Sequence, residues 1–237
     1  MRIDKLLSNM GYGSRKDVKI LLKQGAVRID DAPVKDAKRH VDPESERVTV
    51  FGEVVEYRPY IYFMMNKPEG VVSATEDQVE TTVIELIDPE YAHYDLFPVG
   101  RLDKDTTGLL LITNDGAFNH ALMSPRKHVD KVYIAEVDGE MTAEDIKTFA
   151  NGVELEDGYT TKPAQLEILS RSGRRSVIRL TLSEGKYHQV KRMVAAVGKH
   201  VERLERVQIG ELELDETLEL GAYRELTEEE VQLFVQS

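Results

Sequence analysis

The chain has 237 residues, room for one large domain or for a large and a small one. It has no cysteine, hence no disulfide framework and no thiolate metal site; its opening apolar stretch is short and broken by charges, unlike a signal peptide, and no run approaches the ~18 apolar residues of a membrane span. The net charge is −12, yet residues 1–40 hold ten Lys/Arg against five Asp/Glu and leave −17 for the remainder, which predicts a basic module on an acidic body.

Ile3, Leu6, Leu7 and Met10 fall at i, i+3, i+4 and i+7, so the chain opens with an amphipathic helix that Gly11 and Gly13 break. Ser14 reads as the N-cap of a second helix, with Asp17 its capping-box partner, Val18, Leu21 and Leu22 its buried stripe and Gly25 its terminator. Lys16, Lys19 and Lys23 share one face, flanked by Arg15. Residues 26–30 alternate like a strand, and Asp30-Asp31 turns it. Two short helices with a lysine face, then a small β element, resemble the S4 RNA-binding module over roughly residues 1–58. The resemblance runs through Arg2, Lys5, Ser14-Arg15, Gly25 and the strand at 27–29. It implies that Arg2, Lys5, Ser14, Arg15, Lys16, Lys19, Lys23 and Arg28 face RNA, where the cations add salt-dependent, mostly sequence-neutral affinity. A solvated lysine face would show the same pattern.

Arg58-Pro59 marks the expected boundary, with domains at 1–58 and 59–237. Residues 61–65 read as a strand and Asn66-Lys67-Pro68-Glu69-Gly70 as the turn after it. Residues 100–116 read GRLDKDTTGLLLITNDG. Leu109, Leu110, Leu111 and Ile112 form the continuous apolar run of a strand buried on both faces, and Asn114-Asp115-Gly116 supplies a turn. Asp103 thus lies in a loop entering a rigid core strand, a good mount for a catalytic carboxylate; a solvated ion pair or turn cap would fit the same spacing. All seventeen residues fit the signature of the RsuA-type pseudouridine synthases, and Lys67-Pro68-x-Gly70 matches a further family element. This resemblance implies that Asp103 is the essential aspartate of an RNA uridine isomerase.

Further along, residues 131–137 (KVYIAEV) read as a strand, and Thr142 with Asp145 caps a helix ending at Asn151-Gly152. Residues 165–170 and 176–182 read as paired strands around Ser172-Gly173, and a helix from about 188 to 197 stops at Gly198. Thr227 with Glu230, and Leu226 with Val231, open a last helix with a capping box and a hydrophobic staple. Strands outnumber helices without strict alternation. The fold class expected is therefore α+β, a small S4-like domain followed by a domain with a mixed, largely antiparallel sheet flanked by helices.

An ionised Asp103 needs a cation to hold and aim it. Arg101, two residues away, and Lys191, in LSEGKYHQVKRM at 182–193, are the candidates. The family resemblance places Lys191 against Asp103 and stacks Tyr133 of KVYIAEV on the target base, with a possible part in proton transfer. It also implies that Arg101 fills the gap left by an extruded uridine. Lys67, His188 and Arg192 are read as RNA-facing. His40, His93, His120, His128 and His200 show no metal-ligand spacing, and Arg171, Arg174 and Arg175 sit on a hairpin tip that either touches phosphate or is solvated.

Isomerising uridine rearranges atoms without loss of electrons, so neither a cofactor nor a metal is expected. The expected protein is a cytoplasmic monomer that isomerises a uridine of ribosomal RNA, free or in a subunit assembly intermediate, and binds neither DNA nor membrane. YHQVKRM resembles the branch acting on small-subunit (16S) ribosomal RNA. The alternatives are action on large-subunit (23S) RNA, a non-catalytic S4-type assembly factor, and a metal-dependent hydrolase using Asp103 and Asp105.

Overall fold

The computed structural model describes residues 1–124 and 129–235, the side chain of Val235 aside; His128 lies outside them. The chain folds as two compact units, one of residues 1–61 with 88–96, the other of 62–87 with 97–237.

The first unit holds α1 (Ile3–Asn9), α2 (Arg15–Lys23), β1 (Val27–Ile29), β2 (Ala32–Pro33), β3 (Val48–Val50) and β4 (Glu53–Val54), the strands forming an antiparallel sheet in the order β2-β1-β3-β4. Ile3, Leu6, Leu7, Val18 and Leu22 pack on Val27, Ile29, Val48 and Val50. The α2 capping box forms: Ser14 Oγ accepts from the Asp17 amide, and the Asp17 carboxylate accepts from the Ser14 amide. The Ser14 hydroxyl itself donates to Asp17 at 2.5 Å, which completes the cap. Arg2 is held bidentately by the buried Asp4 carboxylate at 3.0 and 2.6 Å. Lys5, Arg15, Lys16, Lys19, Lys23 and Arg28 stand exposed.

The second unit runs β5 (Tyr62–Lys67), β6 (Phe97–Val99), β7 (Thr106–Thr113), α3 (Gly116–Met123), β8 (Lys131–Asp138), α4 (Ala143–Asn151), β9 (Gln165–Ser172), β10 (Arg175–Leu182), α5 (Gln189–Ala196), β11 (His200–Ile209), β12 (Leu212–Glu213), β13 (Tyr223–Glu225) and α6 (Glu228–Val235). Its sheet has the order β13-β5-β7-β11-β8-β10-β9, with β6 on β7 and β12 on β11. The β7–β11 pair is parallel and the other pairs are antiparallel, the mixed sheet the sequence predicts. Leu109 to Ile112 are all at most 1% exposed, so β7 is buried on both faces, each leucine contributing on the order of 2 kcal/mol. Leu109 and Leu111 pack with Phe118 of α3 and Phe234 of α6; Ala135, Ile178 and Leu180 pack with Phe149 of α4 and Met193 of α5.

Besides the short strands β6, β12 and β13, which the sequence reading did not place, two elements depart from expectation. The turn read at 114–116 continues as α3, because the Asp115 carboxylate accepts from the amides of Ala117 and Phe118 and caps a helix. The ten-residue β11 has no counterpart in the sequence reading. Bulges between Val201 and Arg203 and between Arg206 and Gln208 shift its phase, so Val201, Leu204, Val207 and Ile209 show no clean period of two. At Gly108, with φ +100°, a Cβ would lie 2.3 Å from the Arg206 carbonyl oxygen, so the close approach of β7 to β11 requires glycine there.

Candidate active site

Asp103 sits on the short segment that enters β7, and that segment is clamped on both sides. Before it, the Leu102 amide donates to Ser73 Oγ at 3.1 Å, and the same hydroxyl donates to the Leu102 carbonyl at 3.0 Å. After it, Lys67 Nζ donates to the carbonyls of Lys104, Thr106 and Pro68 at 3.3, 2.9 and 2.9 Å. Gly70 N adds a bond to the Lys104 carbonyl, and Thr106 N closes the turn on the Asp103 carbonyl. Lys67 is 0% exposed, which corrects its reading as an RNA-facing residue. An ammonium with three donors satisfies three loop carbonyls that would otherwise be orphaned. Burial pushes the Lys67 amine down to about 8, against the upward pull of Asp105 and Asp103.

The counter-charge comes from α5. Val190, Met193 and Val194 bury one stripe of this helix, which leaves Lys191 on the face towards Asp103. Lys191 Nζ lies 3.2 Å from Asp103 Oδ2 and 2.6 Å from Asp105 Oδ1, an ammonium between two carboxylates. Burial pulls the Lys191 pKa down, but the hydrogen bonds and charges of Asp105 and Asp103 outweigh it and hold the group above the ordinary lysine range. The bond to Lys191 in turn lowers Asp105. His188 Nε2 approaches the other Asp103 oxygen at 3.5 Å from a left-handed backbone (φ 49°) that opens α5. The loop before α5 is tied by Glu184, which accepts from the Tyr159 hydroxyl, the Lys162 amide and Gln189 Nε2 at 2.8, 2.9 and 2.7 Å. Arg192 pairs with the exposed Glu156 and Asp157 at 3.0 and 2.5 Å.

Asp103 and His188 line a cleft of 640 Å³ together with Arg101 and Tyr133. Residues 61–196 match the family described as RNA pseudouridylate synthase, and residues 1–48 match the S4 domain. The chain belongs to the RNA pseudouridylate synthase family. It is 55% identical over 233 residues to an uncharacterised RNA pseudouridine synthase of Bacillus subtilis, covering 98% of each chain. It is 42% identical to ribosomal small subunit pseudouridine synthase A of Yersinia pestis, covering 98% of this chain and 97% of that protein, and 40% identical to the Escherichia coli protein of the same name, covering 98% of each. A crystal structure described as pseudouridylate synthase superposes with a TM-score of 0.69 at 36% identity, covering 99% of each chain.

The synthase is an isomerase acting on RNA, and its cleft unites most residues that sequence reasoning singled out for chemistry. Of the two cations offered for Asp103, Lys191 makes the contact; Arg101 is exposed on the cleft wall and makes no ion pair among the described residues. Tyr133 lines the cleft from β8 while its ring packs against the core of the sheet. Sequence reasoning missed Lys131 and Arg206, which line the same cleft. Lys131 is the first residue of KVYIAEV, two before Tyr133 and so on the same strand face, a signal that could have found it. Arg206 lies on the strand whose bulges hid it.

Proposed function

We propose that this synthase converts one uridine of small-subunit ribosomal RNA to pseudouridine, with Asp103 as nucleophile. The bond between uracil N1 and ribose C1′ breaks, the base turns, C5 bonds to C1′, and the proton lost from C5 is balanced by one gained at N1. Such a rearrangement needs an anion that is fixed but accessible. The observation that carries the reading is Asp103: a carboxylate at the cleft, its loop clamped by Ser73 and Lys67, its charge matched by Lys191 at 3.2 Å. Tyr133 offers a ring face to a uracil extruded from its stack, and Arg101 a planar guanidinium to the bases left behind. Residues 1–58 supply affinity through the exposed cations of α2, and residues 59–237 the chemistry. The relatives named for the small ribosomal subunit favour 16S over 23S RNA, with the enzyme a cytoplasmic monomer acting on rRNA or a subunit assembly intermediate.

The test is to incubate the purified protein with separate 16S and 23S transcripts and map pseudouridine. One modified position in the 16S transcript and none in the 23S is expected. Modification of the 23S transcript alone would move the substrate to the large subunit, and none in either RNA or in assembling subunits would refute the reading.

A further inference from the structure

Arg206 and Lys131 are the exceptions in the charge pairing of the second unit. Other half-buried cations there have acids: Lys191 has Asp103 and Asp105, Lys199 has Asp145 at 2.9 Å, and Arg224 has Asp215 and Glu230. The buried Lys67 has three carbonyls. Arg206 is 5% exposed; its Nε donates to the Leu109 carbonyl at 2.9 Å, while its Nη2 is buried with no partner. Lys131 is half-buried and its amine donates to the Val129 carbonyl at 2.5 Å, but no acid faces it among the described residues; burial with the charge of Arg206 pushes the amine down, against a weaker upward pull from Asp130. Neither makes an ion pair with a carboxylate among the described residues. Both line the active-site cleft, and the Cα of Arg206 is in register with that of Tyr133 on the neighbouring strand.

Two like charges, sequestered with backbone carbonyls but no acid, are unfavourable unless an anion meets them. The acids in the cleft are committed elsewhere, Asp103 to Lys191 and Glu184 to Tyr159, Lys162 and Gln189. A uracil carbonyl would accept one hydrogen bond and leave both charges standing. A phosphodiester brings the missing negative charge and matches the fork of a guanidinium. We infer that Arg206 and Lys131 together seat one phosphodiester of the RNA strand that carries the target uridine. The inference rests on RNA occupying this cleft. It places a positioning contact on the floor of the cleft, beside Tyr133.

The test measures binding of a 16S transcript by the full-length protein across a salt series, with thermal melts of the free protein. Lys131→Met is expected to weaken binding with little change in the slope of log K against log salt, because Arg206 still neutralises the phosphate. Melts of the free proteins check that each variant folds. Adding Arg206→Met should reduce affinity further and make the slope shallower by ~0.7–0.9, one phosphate's worth, since both cations grip one phosphate. Unchanged affinity of Lys131→Met, an unchanged slope in the double variant, or a loss of two phosphates' worth of slope there would overturn the inference. Pseudouridine formation by wild type on the same transcript is scored alongside: its absence counts against the function proposed above, whereas its presence with an unchanged slope in the double variant counts against the phosphate seat alone.

Discussion

The lysines of the two units are built in opposite ways. Lys16, Lys19 and Lys23 stand exposed on one face of α2 and make no ion pair among the described residues. Lys191 is half-buried between two carboxylates, and Lys67 is wholly buried among carbonyls. Exposed, unpaired charges act over a Debye length, do not depend on exact position and are screened by salt. Paired and partly desolvated charges act at one place, and geometry determines what they do. The first arrangement suits capture of a polyanion, the second the aiming of a carboxylate. An acidic chain can therefore work on RNA: its net charge of −12 averages two populations that do different things.

The comparison is broken most severely at Lys191. Lys191→Met should lower the saturating rate of pseudouridine formation by ~10²-fold, leave the RNA dissociation constant nearly unchanged, and be partly rescued by Lys191→Arg, which keeps the cation. A variant that binds RNA more weakly but turns over normally would put Lys191 with the α2 lysines.

Lys67 sharpens the comparison through stability. Lys67→Met strips the donor from three buried carbonyls and should cost roughly 3 kcal/mol, read by denaturant unfolding of the full chain. Its pH dependence carries a definite sign. With a folded pKa of about 8 against an ordinary 10.5, the unfolded chain binds more protons between those values, so this group makes wild type more stable as pH rises through that window. The stability gap between wild type and Lys67→Met should widen from pH 8 to 10.5 and stay flat below pH 8. A gap that narrows there would contradict the burial of a charged amine.

The smallest effect belongs to the surface. Neutralising Lys16, Lys19 and Lys23 together should leave the saturating rate unchanged, raise the RNA concentration needed for half-maximal rate and flatten its salt dependence. Charge substitution is a cleaner test than removal of residues 1–58, because residues 88–96 pack with that unit and would lose their partner. A fall in saturating rate with an unchanged salt slope would remove the division between capture and chemistry.

What was legible in the sequence follows from how local each signal is. The capping boxes at Ser14/Asp17, Thr142/Asp145 and Thr227/Glu230 each need four adjacent residues, and all three form. The Leu109–Ile112 run is buried as its continuity implies. The approach of Lys191 to Asp103 spans 88 positions, which no periodicity encodes; family resemblance supplied it. Lys67 was misplaced because a lysine beside a Pro-x-Gly turn reads as exposed, and only the fold brings three carbonyls around it. Arg206 was invisible for two reasons: its strand is bulged, and charged residues crowd its sequence.

The central claim is that Asp103 performs the isomerisation. It is tested most directly by mapping pseudouridine in the 16S ribosomal RNA of cells that carry the wild-type gene, no gene, or the Asp103→Asn allele expressed at the same level. The account predicts one site modified in the first strain and unmodified in the other two, because the near-isosteric asparagine keeps the fold and loses the charge. Full modification of that site by the Asp103→Asn protein would contradict it.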